Sequence, residues 1–150
     1  MSAAATLSKP SVTLNRRYNA PPERVFAAWT QPAEIVRWFG ASDAKPDSIN
    51  AITDVRTGGR FCFSFTHGNG EHFEVSGIYK EVVPNEKLVF SWAWHSTPER
   101  ESQVTVLTRP DGPGTLLTLK HEQLFDQATA DNHKRGWTSM LENIATWLDR

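Results

Sequence analysis

The chain has 150 residues, and its 16 basic and 17 acidic side chains leave a formal net charge of −1. This balance excludes the basic excess typical of proteins that bind nucleic acid. Hydrophobic residues make up 39% and charged residues 22%, which is typical of a folded globular chain and too apolar for a disordered one. The single cysteine, Cys62, excludes an intrachain disulfide framework. Residues 1–11 lack the features of a secretion signal, and no apolar run approaches the roughly 20 residues of a membrane span, so the cytoplasm is favoured.

The first part of the chain predicts one strand followed by two short helices. Residues 1–11 are small and polar and predict a flexible tail, whereas the alternation over residues 12–19 predicts a strand. Proline suits the first turn of a helix, so Pro22 begins one helix and Pro32 begins a second, which Gly40 ends. We therefore expect a kinked pair of helices directly after the first strand.

From about residue 49, apolar side chains recur at every second position, which is the period of a strand. In the last strand of this stretch, Leu117, Leu119 and His121 share one face. The segment before it, residues 110–114, is a turn rich in proline and glycine. Six strands are predicted in this stretch, over residues 49–56, 60–66, 72–83, 87–95, 103–109 and 115–124.

A long helix is predicted from about residue 127, where the apolar period returns to 3.6. Asp126 is suited to cap its first turn. Gly136 lies in the helix interior, where glycine costs about 1 kcal/mol relative to alanine, so we expect the helix backbone to pack closely against another element there. The apolar stripe consists of Trp137, Met140, Leu141, Ile144 and Leu148.

These elements predict an α+β fold, with a curved seven-stranded antiparallel sheet wrapped around the long C-terminal helix and two short helices after the first strand. We expect a single domain over residues 12–150. A curved sheet and a straight helix do not fill all the space between them, so a ligand cavity is expected there. Gly77, inside a predicted strand, either leaves space for that cavity or the helix, or marks a bulge that bends the strand.

The order of elements resembles the START-like helix-grip superfamily, also called SRPBCC or Bet v 1-like. Within it, the chain is similar to the branch named after the activator of heat-shock protein 90 ATPase. The resemblance covers about residues 12 to 149. It is carried by residues 19–29 (NAPPERVFAAW), 37–40 (RWFG), 55–61 (VRTGGRF), 77–79 (GIY), 87–94 (KLVFSWAW), 114–122 (GTLLTLKHE) and 136–148 (GWTSMLENIATWL).

The resemblance implies a hydrophobic cavity between the sheet and the C-terminal helix. Members of the wider superfamily bind lipids, hormones and polyketides, or cyclise polyketide chains. We accordingly predict that this chain binds a small, largely apolar molecule that is lipid-, polyketide- or aromatic-like. Tyr79 and His121 are predicted to orient it, and the predicted walls are Phe61, Phe63, Phe73, Tyr79, Phe90, Trp92, Trp94, Leu117, Leu119, His121, Trp137 and Leu141.

Two other functions stay open at this point. One is a cyclase- or dehydratase-type enzyme acting on such a substrate, for which His121 is the only catalytic candidate. The other is a module that contacts a chaperone, as the name of the branch implies. His121 itself is either a core histidine bonded to a backbone carbonyl or a neighbouring helix, or a polar group at the end of the pocket.

No metal or other cofactor is predicted, because the histidines and carboxylates show no metal-ligand spacing along the sequence. Neither a nucleic acid nor a membrane is predicted as a partner, and the pattern sets no oligomeric state.

Overall fold

The computed structural model describes residues 9–40, 44–45 and 47–149. The predicted tail over residues 1–11 lies outside them except for its last three residues, of which Pro10 accepts a backbone hydrogen bond of 3.1 Å from Leu124. The elements are β1 (Val12–Tyr18), α1 (Pro22–Thr30), α2 (Pro32–Trp38), β2 (Asn50–Thr53), β3 (Arg60–Thr66), β4 (His72–Val83), β5 (Lys87–Trp94), β6 (Ser102–Asp111), β7 (Gly114–Glu122) and α3 (Gln127–Leu148).

The seven strands form one sheet in the order β1-β7-β6-β5-β4-β3-β2, and every neighbouring pair is antiparallel. Strands β2 to β7 therefore form a meander. Strand β1 joins the far edge beside β7, and α1 and α2 carry the chain back to the opposite edge, where β2 begins. The sheet, the helix pair and the long terminal helix confirm the predicted α+β helix-grip fold. In the described part of the chain, no helix is long and apolar enough to cross a membrane.

The core lies between the sheet and α3. Alternation along β3 turns Phe61, Phe63 and Phe65 to this side, where all three are buried. The stripe of α3 faces them, with Trp137 and Ile144 among its buried residues. The carboxylate of Asp126 caps the helix as predicted, because its Oδ1 accepts the Thr129 N–H at 2.8 Å.

Gly77 is explained by the spacing of β4 and β5. A Cβ atom at this position would lie 1.9 Å from the carbonyl oxygen of Ser91, on the neighbouring strand. The Ile78 N–H donates to the Ser91 side-chain Oγ at 2.9 Å, and the register shifts between Tyr79 and Glu81. Of the two interpretations given above, Gly77 therefore serves the irregular contact between strands, since it leaves no open space.

The turn between β6 and β7 is shorter than predicted. Residues 110 and 111 continue β6, and Asp111 pairs with Gly114, which leaves only Gly112 and Pro113 in the turn. Gly112 has a φ of 61°, the left-handed value that the first position of such a two-residue turn requires when proline follows. Glycine thus allows a tight hairpin where composition indicates a longer loop.

Candidate functional site

A cleft of ≈ 570 Å³ opens between the first half of α3 and the ends of β3, β4 and β5. A smaller neighbouring cleft of ≈ 360 Å³ shares four of its residues, Phe65, Trp94, Gly136 and Met140, and extends towards Phe39 at the end of α2. We refer to the larger one as the aromatic cleft. It is lined by Phe65, His67, Phe73, Trp92, Trp94, Ser96, Thr97, Asn132, His133, Gly136, Trp137 and Met140.

Four of the predicted wall residues line the aromatic cleft, namely Phe73, Trp92, Trp94 and Trp137. The other eight lie elsewhere in the core and are buried: Phe61, Phe63, Tyr79, Phe90, Leu117, Leu119, His121 and Leu141. The space beneath the middle of the sheet is filled, because the Phe61 ring centroid lies 4.9 Å from that of Phe63 and 5.2 Å from that of Phe90. The aromatic cleft lies where α3 begins and these strands end.

Several residues of the aromatic cleft were not among the predicted walls. Phe65 follows the same alternation as Phe61 and Phe63, so the strand pattern contained its signal. His133 lies one turn before Trp137 on α3, and this spacing places both on one face of a helix. Ser96 and Thr97 come from the turn after β5, for which the periodicity of the sequence gives no direction.

Gly136 has the opposite role to the one predicted. Among the described residues, and apart from the backbone of α3 itself and the two chain neighbours, no heavy atom lies within 4 Å of a Cβ built at this position, and the residue lines both clefts. The helix backbone is therefore not packed closely against another element here. The missing side chain leaves open space at the wall of the aromatic cleft, although glycine in a helix interior costs about 1 kcal/mol relative to alanine.

Two histidines each accept a hydrogen bond from a tryptophan on a neighbouring element. His121 on β7 is bonded to Trp137 on α3, and His133 on α3 is bonded to Trp94 on β5. The Trp137 Nε1–H donates to His121 Nδ1 at 3.0 Å. An indole N–H can only donate, so Nδ1 accepts and the imidazole proton lies on Nε2, which donates to Ser102 Oγ at 2.7 Å. The Ser102 hydroxyl in turn donates to the Trp92 carbonyl at 3.2 Å. Every polar atom of the His121 ring is thereby satisfied within the core.

His133 repeats this arrangement at the wall of the aromatic cleft. The Trp94 Nε1–H donates to His133 Nε2 at 3.0 Å, and His133 Nδ1–H donates to the Thr129 carbonyl at 2.9 Å. The rings of His121 and His133 lie edge to face with centroids 4.9 Å apart. The opposite tautomers of the two rings follow from which nitrogen each tryptophan meets.

Both histidines are electrically neutral at pH 7. Burial, and then the repulsion that a protonated His133 exerts at low pH, lower the pKa of His121 to about 2. Burial also lowers the pKa of His133, opposed by its hydrogen bond to Thr129. His121 does not line the aromatic cleft and has no free nitrogen, so its geometry is that of a core histidine that holds α3 to the sheet. The histidines in the wall of the aromatic cleft are His67 and His133, of which His133 is the one on α3.

Aromatic rings form the walls around these histidines. Phe65 and Phe73 stack with centroids 5.3 Å apart and an interplanar angle of 21°. The Trp92 ring meets that of Trp94 edge to face at 5.7 Å and is tilted by 47° to that of Trp137 at 5.1 Å. Rings held by several such contacts are rigid, and they offer flat apolar surface with little conformational entropy to lose on binding.

A seven-stranded antiparallel sheet packed on a long C-terminal helix, with two short helices after the first strand, is the helix-grip architecture of the START-like, or SRPBCC, superfamily. The chain belongs to the Activator of Hsp90 ATPase homolog 1-like protein family, whose model matches residues 19–149. The predicted resemblance is thus confirmed. Among curated proteins, no sequence matches the chain.

Similar solved structures come from several bacteria. Mll3558 of Rhizobium loti is 30% identical, with a TM-score of 0.76 over 91% of this chain and 95% of its own. The AHSA1 protein of Silicibacter pomeroyi is 28% identical, with a TM-score of 0.76 over 93% of this chain and 98% of its own. CalU16 of Micromonospora echinospora is 28% identical, with a TM-score of 0.69 over 92% of this chain and 75% of its own.

Proposed function

We propose that this protein binds a small, flat, largely apolar molecule in the aromatic cleft. The observation that carries the proposal is Gly136, which leaves open space at the cleft wall in the middle of a helix. A position that costs helix stability and serves no close packing is expected where function needs the room. The volume of ≈ 570 Å³ lies within the range of about 300–1,000 Å³ typical of small-molecule sites.

The lining favours an aromatic or polyketide-like ligand over a charged one. Trp92, Trp94 and Trp137 supply ring faces and edges for stacking. The polar groups of the cleft are few and include the neutral imidazole of His133 and the side chains of Thr97 and Asn132. Such groups recognise hydroxyl, carbonyl or amide substituents on an otherwise apolar skeleton. The proposed location is the cytoplasm, where the free thiol of Cys62 stays reduced.

The test compares two phenylalanine substitutions on α3. Gly136→Phe places a ring in the aromatic cleft, whereas Thr138→Phe places the same ring on the exposed side of the helix. An apolar dye whose fluorescence rises in a dry environment is titrated into each protein. We expect one saturable site in the parent and in Thr138→Phe, and at least a tenfold loss of affinity in Gly136→Phe.

Equal affinity in the two folded variants would overturn the proposal. Circular dichroism confirms that both are folded before their affinities are compared. Native mass spectrometry of the protein purified from its own host then gives the mass of any molecule that stays bound, and so its chemical class.

The aromatic cleft also supports a second function, a cyclase- or dehydratase-type enzyme. His133 is a titratable group at the cleft wall, whereas the predicted candidate His121 is enclosed in the core. A turnover assay with aromatic and polyketide-like substrates tests this function. If it is correct, His133→Asn abolishes turnover and leaves dye affinity nearly unchanged. Turnover that survives in His133→Asn would exclude the imidazole as the acid or base.

The name of the family supports a third function, contact with a chaperone ATPase. Adding the purified protein to Hsp90 and measuring ATP hydrolysis tests it directly. Stimulation that persists in Gly136→Phe would assign the chaperone contact to a surface outside the aromatic cleft. An unchanged ATPase rate at saturating protein would exclude this function.

A further inference from the structure

The face of the sheet opposite α3 carries a compact group of metal-ligating side chains. Cys62 on β3, Glu74 on β4 and His95 just after β5 place one ligand atom each so that all three atoms lie within 4.8 Å of one another. We call these three residues the outer cluster. They lie on the other side of the sheet from the aromatic cleft, because Phe61, Phe73 and Trp94, their neighbours along the strands, face the opposite way.

The sheet register brings these residues together from distant points of the sequence. Cys62 pairs with Ser76, and Ser64 pairs with Glu74, so Cys62 and Glu74 are diagonal neighbours on β3 and β4. The His95 N–H donates to the Glu74 carbonyl at 2.9 Å, which places those two residues side by side. No linear motif contains positions 62, 74 and 95, so the sequence analysis predicted no metal here.

One oxygen of the Glu74 carboxylate lies close to the ligand atoms of both other residues of the outer cluster. Its Oε2 lies 2.8 Å from His95 Nδ1 and 3.5 Å from Cys62 Sγ. In a tetrahedral zinc site with bonds of about 2.0–2.3 Å, neighbouring ligand atoms are about 3.3–3.8 Å apart. The separation between Glu74 and Cys62 lies within this range, and that between Glu74 and His95 is about 0.5 Å below it, so small side-chain rotations suffice to arrange the three donors around one ion.

The second ring nitrogen of His95, Nε2, also has the kind of hydrogen-bond partner that a metal-bound histidine has. A metal-bound histidine usually donates its second ring N–H to a fixed acceptor, which orients the ring. His95 Nε2 lies 3.1 Å from Ser76 Oγ, so Nδ1 is the nitrogen available to a metal ion. On the other side, His72 Nε2 lies 3.5 Å from Glu74 Oε1, and its Nδ1 lies 3.1 Å from Thr66 Oγ1. His72 thus orients the carboxylate.

From this geometry we infer that the outer cluster is a binding site for a divalent transition-metal ion, with Zn²⁺ the best match. Thiolate, imidazole and carboxylate together suit zinc, whereas calcium and magnesium prefer ligand sets made only of oxygen. Two anionic ligands neutralise the dication. Three protein ligands leave a fourth position for water, and the side chains of Glu74 and His95 are 34% and 48% exposed, so an ion reaches them from solvent.

The proton of Cys62 must leave when the ion binds. Burial, and then Glu74, raise the pKa of this thiol, so it is protonated in the metal-free protein. Coordination breaks the S–H bond, forms a metal–thiolate bond and releases the proton to solvent, with no change of oxidation state. The protein must therefore be kept reduced in the test, because an oxidised sulfur is no longer a ligand of this kind.

Titration with Zn²⁺ and with Co²⁺ tests the inference, in the presence of a non-thiol reductant. We expect one ion per chain, and for Co²⁺ a thiolate-to-metal charge-transfer band that Cys62→Ser abolishes. Glu74→Gln and His95→Asn should each weaken Zn²⁺ binding by more than tenfold, measured by competition with a chelator. Ser76→Ala, which removes only the partner of His95, should weaken it by about tenfold.

Glu71→Gln is the matched control, since Glu71 is an exposed glutamate three residues from Glu74 and outside the outer cluster. Its Zn²⁺ affinity should equal that of the parent. Failure to bind Zn²⁺ at stoichiometric amounts would overturn the inference. So would binding that survives in folded Cys62→Ser and Glu74→Gln proteins, or that is lost in His133→Asn instead, which would place the ion in the aromatic cleft. Circular dichroism shows whether each variant is folded.

Discussion

The burial of His121 couples its protonation to folding. In the unfolded chain its pKa is about 6.5, and in the folded protein burial lowers the pKa to about 2. Between these values the unfolded state binds a proton that the folded state cannot. The stability is therefore complete above pH 6.5 and is lost as the pH falls below it. We expect the free energy of unfolding to drop by about 2 kcal/mol between pH 7 and pH 5 from this residue alone.

His121→Gln isolates that contribution. The variant should be less stable at pH 7, because it leaves the Trp137 N–H or the Ser102 hydroxyl without its partner. It should also lose the drop of about 2 kcal/mol between pH 7 and pH 5 that belongs to the imidazole. Urea unfolding at the two pH values measures both effects. An undiminished pH dependence in the variant would show that other groups cause it.

The Trp137 side chain is large and buried, and its Nε1–H donates a hydrogen bond to His121. Its ring lies 5.1 Å from that of Trp92 and 5.7 Å from that of Trp29, and it is 1% exposed. We expect Trp137→Ala to cost about 3–5 kcal/mol in the free energy of unfolding. Trp137→Phe retains much of the volume but leaves His121 Nδ1 without a donor, and should cost about 1–3 kcal/mol.

Denaturant unfolding measures both variants, with Trp147→Phe as the control. Trp147 lies on the same helix but is only half-buried, so its substitution should cost less than Trp137→Phe. A loss under about 1 kcal/mol for Trp137→Ala would mean that this ring does not anchor the helix.

The helix α3 contains an interior glycine, Gly136, that lowers its stability. Gly136 is helical and lies near the middle of α3, and within the described part of the chain an added Cβ meets no atom of another element within 4 Å. Gly136→Ala should therefore raise the free energy of unfolding by about 0.5–1 kcal/mol, through helix propensity without a steric penalty. Urea unfolding checks the sign. A destabilised variant would mean that the helix backbone does pack against a neighbour at this point.

The strands and helices were largely predictable because their periods are local properties. The bounds of β3 and β4 agree with the alternation, and the Asp126 cap sets the beginning of α3. The set of residues that line the aromatic cleft was less predictable. Alternation gives the face on which Phe61 and Phe65 lie but not the point along the strand where α3 diverges from the sheet. That point depends on how the rings of β3, β4, β5 and α3 pack against one another.

The sequence also did not predict the outer cluster, because its residues come together only through the pairing of strands. The outer cluster depends on the register of β3 with β4 and on the place of His95 beside Glu74. A polar, half-exposed position looks the same in sequence whether it is solvated or grouped with two others. Gly136 was misjudged for a related reason, since a glycine that permits close packing and one that leaves open space are identical in sequence.

A molecule bound in the aromatic cleft should raise the free energy of unfolding of the whole protein. A molecule that binds only the folded state stabilises it by about 2.7 kcal/mol at 100 times its Kd. For a chain of this length, that corresponds to a rise in Tm of about 5–11 °C. We expect this rise for the parent and for Thr138→Phe with the apolar dye at that multiple of the parent Kd. The same dye concentration should raise the Tm of Gly136→Phe by at most about half as much, because a site at least tenfold weaker stabilises by no more than about 1.4 kcal/mol at this concentration. The new ring occupies the space next to Trp94 and Met140. An equal rise in all three proteins would place the dye outside the aromatic cleft.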